Sequence, residues 1–186
     1  MKKESLFLLF IFSNIFLYGQ DLKPLPDCKD LKEKVVAIYK YFDKLPETFK
    51  DKETEKKGSR VFYSTQLSLC GVNGFMAEDT GTYSREGKMV FQRSWILQFV
   101  LKKNEYNTTR VAFNEWTEKI LEVLKQVFVN WEYDFNSESN GSMTYHSFIE
   151  KTGTGSSIKK EVDLDIYSYS DNLSMNLIFA ISNLNL

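Results

Sequence analysis

Three side chains in this sequence have types and spacing suited to moving a proton or holding a cation: Glu132, His146 and Asp163. Trp131, Tyr133 and Phe135 alternate with Glu132 and Asp134; Met143, Tyr145 and Ile149 alternate with Thr144, His146 and Phe148; Val162, Leu164 and Ile166 alternate with Asp163, Asp165 and Tyr167. A period of two marks strands. Pairing the three strands with their apolar sides in agreement sets Glu132, His146 and Asp163 side by side, with Asp134, Thr144 and Asp165 in the next row. Two carboxylates flanking an imidazole would raise its pKa, supply a general acid and base, or bind a divalent metal. An ordinary solvated strand face has the same pattern, and a slip of one residue would scatter the trio.

No stronger chemical signal accompanies these residues. The chain has one histidine, which excludes any mechanism needing two imidazoles. It has no HExxH helix, no zinc-type Cys and His spacing, no nucleophile elbow, no phosphate-binding glycine loop and no calcium loop, so no cofactor or metal is expected. Gly153-Thr154-Gly155 is too short for a phosphate cradle and reads as a hairpin loop. The other candidates are aromatic. Phe62, Phe148, Tyr167 and Tyr169 fall on the nominally polar sides of their strands, where a sugar ring or an apolar ligand could stack. Cross-strand packing accounts for the same placement. Phe75 and Met76 would act as a lid or plug the sheet.

Cys28 and Cys70 are the only cysteines, and such a pair reads first as a disulfide, with buried free thiols or a lone nucleophile as the other readings. Closing a loop of about 40 residues stabilises a fold by about 4 kcal/mol in the chain-entropy model. Acidic and basic residues nearly cancel, at 25 against 24. That balance gives no support for binding nucleic acid or an anionic membrane surface, both of which call for uncompensated Lys and Arg.

The elements that must position these residues follow from periodicity. Asp27 is placed to cap a helix whose buried stripe is Leu31, Val35, Ile38, Tyr39 and Phe42, and which stops before Pro46. Residues 43–57 read as a solvated, charge-balanced connector. Strands are expected over Arg60–Cys70 and Met89–Leu101, paired with each other across a long glycine-containing loop from Gly71 to Gly87. A second helix begins after Asn107-Thr108-Thr109 and carries the stripe Val111, Phe113, Trp116, Ile120, Val123, Leu124 and Val127. Four strands follow, with a turn at Asn140-Gly141. The fold expected is α+β: an antiparallel sheet of about six strands, order α-β-β-α-β-β-β-β, with two helices on one face. Helix followed by antiparallel strands occurs twice, which suggests an internal duplication.

Residues 1–19 have the layout of a secretory signal: Lys2 and Lys3, then an apolar run from Leu6 to Tyr18, then Gly19 at the cut. Thirteen residues make a helix of roughly 20 Å, short of the roughly 30 Å of a bilayer core, so no stable membrane anchor is expected. Residues 20–186 would then be one globular domain in the periplasm or outside the cell. Twenty Lys against four Arg, with twelve Asn and four Ala, fit a bacterial source poor in G and C. The function expected is non-enzymatic binding of a small apolar molecule, a glycan or a protein partner. The alternative is a small hydrolase built on Glu132, His146 and Asp163, with or without a metal ion.

Overall fold

The computed structural model describes residues 22–85, 88–138, 142–151, 157–169 and 172–183, without the side chains of 82–91, 169 and 172. The expected signal segment, the Asn140-Gly141 turn and the Gly153–Gly155 loop therefore lie outside the described residues. The chain runs as helix α1 (Leu31–Lys44), strands β1 (Glu53–Lys57), β2 (Arg60–Leu69), β3 (Val72–Arg85) and β4 (Lys88–Lys102), helix α2 (Arg110–Val127), and strands β5 (Glu132–Ser137), β6 (Met143–Ile149), β7 (Ile158–Tyr169) and β8 (Asn172–Asn183). All eight strands form one antiparallel sheet in the order β1-β2-β3-β4-β8-β7-β6-β5. Each half is a helix followed by a four-strand meander, and the halves join where their last strands, β4 and β8, pair antiparallel.

The α+β class and the two packed helices agree with the periodicity, but the strand count is eight. Two segments account for the difference. Residues 43–57 are no simple connector: a 3₁₀ turn over Pro46–Phe49 leads into β1 as an edge strand. The stretch expected as the Gly71–Gly87 loop is mostly β3, so β2 and β4 do not pair with each other. Leu69 pairs with Val72 across a two-residue turn, Cys70-Gly71, with φ of 55° and 78°. Two successive positive φ values are the signature of the tight turn whose twist matches flanking strands. Gly74 is a second requirement of β3. A Cβ there would stand 2.9 Å from the Phe99 ring of β4, so the ring occupies the space a side chain would need.

Helix starts differ in chemistry. Thr109, the last of the three polar residues expected before α2, caps it by accepting a hydrogen bond from the Ala112 N–H at 3.2 Å. Asp27 does not cap α1. The residue at that position is Asp30, left-handed at φ 57° and without a side-chain cap bond. The lead-in is secured instead by tertiary contacts. Lys23 bridges Tyr106, Trp116 Nε1 donates to the Pro26 carbonyl at 3.0 Å, and Cys28 is disulfide-bonded to Cys70.

One face of the sheet, called inner here, meets both helices. Val35 and Phe42 of α1, and Phe113 and Leu124 of α2, are fully buried against Met76, Leu97, Leu101, Leu164, Leu177 and Phe179. Toward β1 this face ends in a charge network: Glu78, 9 % exposed, accepts from Lys50 and Arg93, while Glu47 accepts from Lys50 at 2.6 Å. Two acids and two bases satisfy one another, which makes the buried carboxylate tolerable. Among the described residues no helix is long and apolar enough to cross a membrane.

Candidate functional site

The register of β5, β6 and β7 decides where the candidate residues go. Phe135 lies opposite His146, and His146 opposite Leu164; Asp134 lies opposite Ser147, and Ser147 opposite Asp163; Glu132 lies opposite Ile149. His146 therefore shares the inner face with Phe148, Val162 and Leu164, whereas Glu132 and Asp163 point to the outer face. The expected trio does not come together, because β6 turns the opposite side to the helices from the one its apolar count suggests. Met143, Tyr145 and Ile149 are half-buried on the outer side, while Phe148 enters the core. Thr144 likewise parts from Asp134 and Asp165.

His146 gains an aromatic setting in place of a carboxylate one. The Tyr133 hydroxyl and His146 Nδ1 share a 2.9 Å hydrogen bond, and their rings lie within 14° of parallel. The Phe135 ring is 5.0 Å from the imidazole, and Tyr133 is 5.2 Å from Phe148. The series continues inward through Phe128 to Trp131 and Tyr39, with centroids 4.7 to 6.0 Å apart. Burial, then the Lys125 ammonium on α2, lowers the His146 pKa below its ordinary value, so the ring is neutral at pH 7. A neutral imidazole between two rings is a packing and hydrogen-bonding group here.

The outer end of this series is open. β5 is an edge strand of the sheet, and Tyr133 is 44 % and Phe135 53 % exposed. The two rings project from alternate residues of one strand and form a ledge, with His146 as its floor. Lys125 stands 5.9 Å from the Tyr133 ring at its rim. The sequence places Tyr133 and Phe135 on a core-facing side but carries no sign that β5 is an edge.

On the outer face, Asp163 accepts a 2.6 Å hydrogen bond from Ser147 Oγ. Burial pushes its pKa up to about 6; the Ser147 bond opposes that rise, and the nearby Glu161 and Asp165 carboxylates add to it. Asp165 is raised by burial as well. Tyr167, one of the expected ligand aromatics, lies on this face beside Asp165 and Asn176, and its phenol is raised by burial and then by Asp165. Phe148, another, is 2 % exposed inside the core and unavailable to a ligand. The Tyr169 side chain lies outside the described residues; its backbone pairs with Asn172. The Phe62 and Phe75 rings lie 6.2 Å apart on the outer face, tilted by 50°, and Met76 is fully buried.

Among the described residues no three His, Cys, Asp or Glu side chains are grouped to hold a metal ion. Concavities among the described residues lie elsewhere. One of about 400 Å³ sits over the β2 bulge, lined by Thr48, Phe49, Lys50, Asp51, Thr65, Gln66 and Leu67. Another, of about 150 Å³, lies between the lead-in and Trp116 of α2. Neither contains a paired acid and base. Compared with known proteins, the chain matches no family model, no curated protein and no solved structure.

Proposed function

We propose that this chain is a non-enzymatic binding protein, exported to the periplasm or beyond, whose recognition surface is the ledge formed by Tyr133, Phe135 and His146. The observation that carries the reading is that two large aromatic rings stand about half exposed on alternate residues of an edge strand. Aromatic rings have only two side-chain torsions to fix, so they give contact area at little entropic cost. His146 and Phe148 hold the ledge from beneath, which reduces that cost further. The apolar leader and the Cys28–Cys70 disulfide support an oxidising compartment. The hydrolase alternative is disfavoured because the sheet separates His146 from both carboxylates.

The test is a glycan array and a displayed-peptide library screened in parallel against the parent and the Tyr133→Ser/Phe135→Ser variant, with circular dichroism to verify folding. Ligands retained by the parent should bind the variant at least tenfold more weakly. Ligands held equally by both proteins would place recognition elsewhere.

A further inference from the structure

The same strand presents more than its rings. β5 is the last strand of the sheet and pairs only with β6, so among the described residues half of its backbone N–H and C=O groups face away from any strand. The two sheet edges are built differently. β1, at the far edge, reads Glu-Thr-Glu-Lys-Lys and carries a Glu55–Lys57 ion pair of 2.9 Å, the kind of charged rim that discourages added strands. β5 has no lysine or arginine. Its inner side offers Tyr133 and Phe135, and its outer side offers Glu132 and Asp134, all exposed.

The charge on the outer side of β5 has one sign. Glu132 and Asp134 join no ion pair among the described residues, and one strand further in, the outer face of β7 carries Asp163 and Asp165, with Lys159 close enough to Asp163 to oppose the rise of its pKa. Glu161 in this row is ion-paired with Lys159 at 2.6 Å. A free edge with carboxylates along one side and aromatic rings along the other is the complement of an extended chain with bases and apolar residues in alternation. It is a poor complement of itself. Two copies of β5 joined antiparallel in one continuous sheet would set their acid rows against each other.

We infer that β5 takes up an extended segment of a partner protein as a ninth strand, with Lys or Arg at alternate positions over Glu132 and Asp134 and apolar side chains between them on Tyr133 and Phe135. This rests on the ledge reading above and names its partner as a basic–apolar alternating peptide. Main-chain hydrogen bonds supply part of the affinity, and the alternation supplies register and specificity. Six residues of β5 span roughly 20 Å, which sets the length of the segment at about six or seven residues.

The probe is a capped seven-residue peptide alternating lysine and valine, titrated into the full chain. Its controls are a peptide of the same composition in blocks and a backbone N-methylated analogue. Strand addition requires binding that slows amide hydrogen exchange at alternate β5 residues. Affinity should fall at least tenfold on N-methylation and on Asp134→Lys, and should weaken in high salt. No binding at millimolar peptide, equal binding of the block or N-methylated peptide, or unchanged exchange in β5 would overturn it. Phe135→Ser separates the two levels of the argument. A peptide that tolerates N-methylation but is lost with Phe135→Ser leaves the ledge as the recognition surface and removes strand addition. One indifferent to both changes removes both.

Discussion

Asp163 illustrates how a single carboxyl carries the cost of its position. Its folded pKa of about 6 stands above the ordinary 3.8, so the folded state holds this proton more tightly than the unfolded chain does. Stability from this group is therefore full below about pH 4 and falls as pH rises through 6. Asp163→Asn should raise stability at pH 7.5 by on the order of 1 kcal/mol and change it little at pH 4, as read from denaturant melts of variant and parent at both pH values. His146 acts in the opposite sense: its depressed pKa makes protonation unfavourable in the fold, so its contribution is lost as pH falls below the ordinary imidazole value. His146→Gln should flatten the acid side of the stability curve without moving the alkaline side. Neither shift was legible in the sequence, because both depend on the side of the sheet β6 turns inward. Counting apolar residues favours Met143, Tyr145 and Ile149, yet Phe148 alone outweighs them through its contacts with Phe128 and Tyr133.

Among the elements, helix α2 was the most legible, since its apolar stripe and its cap are local in sequence, although Val111, at the head of that stripe, is exposed. Thr109→Ala should cost about 1 kcal/mol, measurable as a shift in denaturation midpoint at unchanged slope, because the Ala112 N–H loses its acceptor. Strand β3 was the least legible. Its glycines and its acids read as a loop, and what makes it a strand lies far away in sequence. Phe99 fills the space over Gly74, while Lys50 and Arg93 neutralise Glu78. β1 is hidden for a related reason: a short, fully exposed edge strand needs no apolar alternation, only a partner such as β2. Exposure of Tyr133 and Phe135 belongs to the same class, because edge position is a property of strand order, which no single strand encodes.

For the whole molecule, the Cys28–Cys70 bond fastens the lead-in to the β2–β3 turn across a separation of 42 residues. The Cys28→Ser/Cys70→Ser variant should lose about 4 kcal/mol in equilibrium unfolding, and reductant should destabilise the parent by a similar amount while leaving the variant unchanged. The repeated helix-then-meander order was visible in the sequence as two helices each followed by strands. Its closure was not. β8 sits between β4 and β7, and Leu177 stands opposite both Phe99 and Leu164. Until β8 is made, a growing chain thus holds two unfinished ribbons, each with a bare flank, which this one strand locks together. Any early stop within that segment would leave both ribbons seeking the wrong neighbour.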